Sequence, residues 1–261
     1  MSGQRLQGLR ALLVDLDGVL YVEEEPIEGA PDAIARLRDA GLGLRFVTNT
    51  TARSKRQTLG RLERLGLEVG EDELVTPAAL ARRRCAEAGH ERVALIMNDD
   101  VKEDFEGLAE AEDSVDAVVM GDLGSAFGFE ILNRAFRLVM DGAELIALQK
   151  NRFWLTPDGL ALDAGPFVAA VEYATGTDAL VVGKPSPSFF ELVLEDLAVE
   201  PADAAMVGDD VETDVGGAIQ AGLAGILVRT GKYRESFVRE SGVEPTAIVD
   251  SIAEVPELIS R

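Results

Sequence analysis

Asp15 and Asp17 stand two residues apart at the end of the apolar run "ALLVDLDGVL" (11–20). Like charges this close repel, and burying either without compensation is costly, so a cation is expected beside them. The pattern returns later in the chain. "MVGDDVETDVGGA" (206–218) ends another apolar run in Asp209 and Asp210, with Asp214 one turn further on. "VVGKPSP" (181–187) ends a run in Lys184, and "FVTNTT" (46–51) ends one in hydroxyls and an amide, among them Thr48 and Asn49. Brought to one edge, these groups make a site for a hard cation. Carboxylate oxygens bind Mg²⁺ octahedrally, and water and a phosphate oxygen complete the shell. Lys184 would offset the rest of the negative charge.

The elements that must position these residues follow from alternating short apolar runs and helical patterns, which predict βαβ units and a parallel sheet. Strands are expected at 11–15, 44–50, 179–183, 204–208 and 224–228. Carboxylates at the C-terminal ends of such strands lie where open parallel sheets place their ligands. Helices are expected at 31–41, with Pro31 in the first turn and Gly41 as the stop, at 54–66, and at 185–197, with Ser186 as N-cap and Pro187 as first helical residue. The intervening stretch has its own strands, at 92–97, 116–120 and 144–149, and its own helices, at 76–89 and 128–142. About 100 residues suffice for a separate domain. The expected organisation is a Rossmann-like α/β core over 1–75 and 179–261, with helices on both faces of its sheet, and an inserted α/β cap domain over 76–178.

Composition limits the partners. The chain has 261 residues, 47% of them hydrophobic, and a net charge of −22. That charge argues against nucleic acid, whose phosphates attract basic surfaces. No run approaches a membrane span and the first residues lack a signal-peptide core, so a cytoplasmic protein is expected. The single cysteine, Cys85, leaves no internal disulfide framework. Only 5 of the 25 basic residues are Lys. A salt-rich habitat favours such an acid-rich, Lys-poor chain, and a GC-rich genome also exchanges Lys for Arg. Nine acids and one Lys within 99–116 read as a solvated face. Arg82, Arg83 and Arg84 read as surface or interface residues, Cys85 and Trp154 as packing, and His90 as uninvolved in catalysis. "EEE" (23–25) reads as a solvated run and "RTGKYR" (229–234) as structural, with Lys232 at the rim of the site.

Taken in order, D-L-D-G-V at 15–19, Thr48-Asn49, Lys184-Pro185 and G-D-x-x-x-x-D at 208–214 resemble the four motifs of the haloacid dehalogenase-like phosphohydrolases. The insert between Thr48 and Lys184 resembles the second-type (IIA) cap. "PIEGAPDAIARLRDAG", "LDAGPF", "VVGKPSPSFF" and "VRTGKYR" are similar to the subgroup of phospholysine phosphohistidine inorganic pyrophosphate phosphatases and nitrophenylphosphatase-like proteins. The resemblance implies a Mg²⁺-dependent phosphatase acting on a small phosphorylated metabolite through an aspartyl-phosphate. Asp15 then takes the nucleophile position and Asp17 the acid/base position. Thr48, Asn49 and Lys184 fall where phosphoryl oxygens are bound. Asp209 falls at the principal metal carboxylate, joined by the Asp15 side chain and the Asp17 carbonyl. Asp214 and Asp210 fall at supporting positions. The cap loop "LDAGPF" (162–167), whose only charge is Asp163, would face the site and read the leaving group. A homodimer through the cap is the expected assembly. Three readings stay open at this point: a preference for pyrophosphate or phosphoramidates, a phosphotransferase, and a phosphate-binding regulatory protein without turnover.

Overall fold

A computed structural model describes residues 6–156 and 159–259, which form two compact units. The first comprises residues up to Thr48, Arg56–Val75 and Lys184 onwards; the second comprises Asn49–Lys55 and Thr76–Gly183.

The first unit is built on a six-stranded parallel sheet. Its spatial order is Ala247–Val249, Ala224–Val228, Ala204–Gly208, Ala11–Asp15, Gly43–Val47 and Leu74–Val75. Ala11–Asp15 is buried at every residue, as expected of a central strand covered on both faces. Chain order reverses between this strand and Ala204–Gly208, and the crevice outside the strand ends at such a reversal is where ligands bind. Leu12, Val14, Phe46, Val207 and Ile226 pack with Leu37 of helix Ala30–Asp39 in the main core, while Val211, Val215 and Leu227 form a smaller cluster. After Gly208 the chain enters a wide π-helical turn, Val211–Gly216, in which Val215 N–H donates to Asp210 O at 3.2 Å. Asp210 Oδ1 caps this turn, accepting from Glu212 N and Thr213 N at 3.1 and 3.0 Å. Ser186 precedes helix Pro187–Leu197 but its side chain makes no capping hydrogen bond, unlike the sequence expectation. Pro187 stands at the first helical position, where its fixed φ suits the start of a helix.

The second unit has a five-stranded parallel sheet in the order Leu180–Val181, Glu144–Ala147, Ala117–Met120, Arg92–Ile96 and Ala109–Glu110. The 179–183 run, expected as a strand of the core, contributes two residues to this sheet instead, paired with Ile146 and Ala147. A short apolar run carries no local mark of the sheet it will join. Helix Pro77–Ala88 begins at Thr76, whose hydroxyl accepts from Ala79 N at 3.2 Å, and ends at Gly89. The acidic tract 99–116 is more than a solvated face. Within it Glu103 accepts from the Ser54 hydroxyl, and Asp104 accepts from Lys55 N at 3.0 Å. Arg82 and Arg83 are engaged with Glu106 O and Glu87. Phe153–Thr156 and Gly159–Leu162, where the sequence predicts no element, pair as antiparallel strands. The Trp154 side chain lies outside the described residues. Among the described residues no helix is long and apolar enough to cross a membrane.

Candidate active site

Three strands of the first sheet end together, and their register sets the site. Asp15, the last residue of its strand, lies opposite Val47, so Thr48 follows directly beside it. Val14 pairs with Val207, which brings Gly208 and then Asp209 to the same edge. Thr48 is buried, and its N–H reaches Val75 O at 3.4 Å. Asn49 is half-buried and is the first residue of the second unit.

Lys184 holds the centre. Its Nζ lies 2.5 Å from Asp15 Oδ1 and 2.7 Å from Asp214 Oδ1, and all three residues are buried. The π-helical turn brings Asp214 to this position. Its second oxygen, Oδ2, accepts from Asp210 N at 3.2 Å, so Asp214 is engaged at both oxygens. Burial pulls the Lys184 ammonium down, but the charges of Asp15 and Asp214 outweigh it and hold Lys184 above its ordinary range.

Asp209 is held differently. Oδ2 accepts from Lys232 N at 2.7 Å, while Oδ1 is buried and has no hydrogen-bond partner among the described residues. Two glycines close around this carboxylate. A Cβ on Gly18 would fall 1.9 Å from Asp209 Oδ2, and one on Gly231 would fall 2.0 Å from it and 2.6 Å from Gly18 Cα. Both glycines have positive φ, +84° and +58°, so the site requires them for space and for conformation. The Thr230 hydroxyl donates to Gly18 O and ties the two loops together.

Carboxylate oxygens of Asp15, Asp209 and Asp214 lie within 4.8 Å of one another. Three buried carboxylates here share one buried ammonium, so the cluster lacks positive charge. Burial accordingly pushes Asp15 well above the usual carboxylate range despite Lys184, and raises Asp209 to about 6. An unpaired buried oxygen in an all-oxygen, under-compensated donor set suits a hard divalent cation. The residues therefore fit Mg²⁺. Asp209 and Asp15 are the side chains with capacity for it, because Asp214 is spent on Lys184 and Asp210 N.

Asp17 is not one of these buried carboxylates. It is exposed, and its Oδ2 accepts from the Tyr21 hydroxyl at 3.1 Å. Asp210 caps the following turn, and its Oδ2 lies 3.7 Å from Lys232 Nζ. The sequence reading placed no role on Tyr21, on Thr230 and Gly231, or on the Lys232 backbone. "RTGKYR" was the available signal for the last three, but their contribution is made largely by main chain.

Comparison with known proteins gives the family. Residues 12–109 match the model of a haloacid dehalogenase-like hydrolase family, and residues 181–255 match a second model of the same kind. The human haloacid dehalogenase-like hydrolase domain-containing protein 2 is 48% identical over 230 residues, covering 88% of each chain. The human phospholysine phosphohistidine inorganic pyrophosphate phosphatase is 39% identical, over 98% of this chain and 96% of that one. The solved p-nitrophenyl phosphatase of Archaeoglobus fulgidus superposes with a TM-score of 0.87 at 28% identity, over 95% of this chain and 98% of that one. The chain belongs to the haloacid dehalogenase-like hydrolases and is a phosphatase of that family.

Proposed function

We propose that this phosphatase hydrolyses a small phosphorylated metabolite by way of a phosphoryl group carried on Asp15, with Mg²⁺ as cofactor. The observation that carries the reading is the buried Asp15–Lys184–Asp214 set beside the unpaired Asp209 Oδ1. Bound Mg²⁺, held by Asp209 and Asp15 and by the Asp17 carbonyl, would supply the positive charge that the cluster lacks and that phosphoryl oxygens require.

Asp15 attacks phosphorus in line, forming an O–P bond as the bond to the leaving oxygen breaks. Asp17, exposed beside it, gives that oxygen a proton and then takes one from the water that attacks the aspartyl-phosphate. The second displacement releases phosphate and restores the Asp15 carboxylate. Lys184 and the donors of Thr48 and Asn49 stabilise charge on the phosphoryl oxygens. Asp214 holds Lys184 in place. In the second unit, the Asp163 carboxylate accepts from Gln149 Nε2 at 2.5 Å and from Ala164 N at 2.7 Å. This engagement supports a cap loop that selects leaving groups by shape more than by charge.

The 39% identical relative is named for pyrophosphate, phospholysine and phosphohistidine, so those substrates form the second reading. We also infer a homodimer through the second unit, supported by the exposed apolar residues Phe153, Leu160 and Leu162 on its hairpin.

The test is phosphate release from a panel of phosphomonoesters, pyrophosphate and phosphoramidates, with Mg²⁺ or chelator. Wild type should turn over at least one class only with metal, and Asp15→Asn should lose about 10³-fold or more of that rate. Undiminished release by Asp15→Asn would overturn the mechanism. Mg²⁺ binding with no release from any substrate would favour a phosphate-binding protein without turnover.

A further inference from the structure

Asp17 is the exposed member of the Asp15/Asp17 pair, yet its orientation is set from inside the protein. The hydroxyl that donates to Asp17 Oδ2 belongs to Tyr21, which is only 2% exposed. A phenylalanine would fill the same space in the core; only the hydroxyl reaches the carboxylate. Burial first, and then the charge of Asp17, raise the Tyr21 phenol above its ordinary range, so it remains a proton-bearing donor at working pH.

A buried cation lies over the Tyr21 ring. The Arg61 guanidinium lies 4.5 Å from the ring centroid, and Arg61 is 8% exposed. Arg61 Nη2 donates to Glu23 O at 2.5 Å and lies 3.3 Å from Glu24 Oε1. These two residues form the turn between Tyr21–Val22 and Glu25–Pro26. Arg61 Nε is buried and unpaired among the described residues, a cost set against the attraction between the cation and the ring beneath it. A cation over an aromatic face is attracted by the ring's quadrupole and draws electron density from its substituents, so the phenol becomes the better donor.

We propose that Tyr21 and Arg61 are positioning residues for Asp17. The Tyr21 hydroxyl occupies Oδ2, which leaves Oδ1 to carry the proton to the leaving oxygen and to receive one from water. Arg61 fixes the Tyr21 ring and the hairpin turn behind it. Tyr21 keeps its own proton throughout. The inference rests on the reading of Asp17 as the acid/base group.

The experiment measures kcat/KM with Mg²⁺ on substituted phenyl phosphates, from 4-nitrophenyl to 4-methylphenyl, for wild type and the variants Asp17→Asn, Tyr21→Phe, Arg61→Met and Arg61→Lys. A poor leaving phenol needs the proton and a good one hardly does. Tyr21→Phe should lose about tenfold on the 4-methylphenyl ester and less than about threefold on the 4-nitrophenyl ester, as expected for one hydrogen bond to a charged group. KM should stay unchanged. Arg61→Met should move in the same direction by less, and the Tyr21→Phe/Arg61→Met double variant should be no worse than Tyr21→Phe alone. Arg61→Lys, which keeps the charge in place of the plane, serves if Arg61→Met does not fold. Equal loss by Tyr21→Phe on every ester, or none, overturns the positioning role while Asp17→Asn still discriminates between leaving groups. If Asp17→Asn itself shows no leaving-group dependence, the acid/base reading of Asp17 fails instead.

Discussion

Each unit of the molecule gathers charge around carboxylates at strand ends or starts, and the two clusters are balanced in opposite ways. In the second unit Glu144 accepts from Arg84 Nη2 at 2.8 Å through one oxygen and meets His90 Nε2 at 2.6 Å through the other. Burial would raise its carboxyl, but the bonds from Arg84 and His90 prevail and hold it below the ordinary range. In the first unit burial prevails: Asp15 and Asp209 are both raised, although Asp15 has the buried Lys184 beside it. A carboxylate whose oxygens are all satisfied by side chains is a strut. A carboxylate left short of partners retains free energy that a metal and a phosphoryl group can use. The difference separates structure from chemistry better than charge or burial alone.

The contrast breaks most visibly at the two cations. Lys184→Met leaves Asp15 and Asp214 buried without their ammonium and should cost about 3–5 kcal/mol in a denaturant titration, along with turnover. Arg84→Met removes a half-exposed partner and should stay within about 1 kcal/mol at full activity. Equal costs for the two would erase the distinction.

The pH dependence sharpens it. In metal-free protein the folded-state value of Asp209, about 6, lies above the ordinary 3.8. Between those values the native state keeps a proton that the unfolded chain releases. The Asp209 contribution therefore falls by roughly 2–3 kcal/mol as pH rises through that window. The check is the stability of wild type minus that of Asp209→Asn in chelator, across pH 4 to 7. Saturating Mg²⁺ should abolish the slope, and a flat difference in chelator would remove the argument for an under-compensated site. Glu144 should show the smaller effect with the opposite sign. Its folded-state value lies below the ordinary 4.5, so its contribution is full above that pH and is lost as pH falls below it. Wild type minus Glu144→Gln should decline on acidification by about 1 kcal/mol or less, since the pair is partly exposed.

What sequence could reveal follows the same division. Asp15, Asp209 and Lys184 end apolar runs, a local pattern, and the parallel sheet that gathers them is implied by the alternation of runs and helices. Pairing is not local. Leu180–Val181 reads like any buried strand, and only the register with Ile146 and Ala147 places it in the second sheet. Glu103 and Asp104 sit in a tract whose acidity suggests solvent, yet they bind Ser54 and the Lys55 N–H across about 50 residues of chain. Tyr21 and Arg61 were illegible because their work depends on a ring face and a hydroxyl direction. The hold on Asp209 was illegible because it is made by a backbone N–H, which every residue type but proline offers.

That last grip has a bearing on how the protein can be redesigned. Because the Lys232 amide accounts for the hydrogen bond to Asp209, that bond survives a change of side chain at 232, and what such a change removes is the 70% exposed ammonium near Asp210. Gly18 and Gly231 offer no such latitude, since any side chain there would collide with the carboxylate they enclose. A library that varies 232 while fixing the two glycines would change the charge beside Asp210 and leave the hold on Asp209 intact.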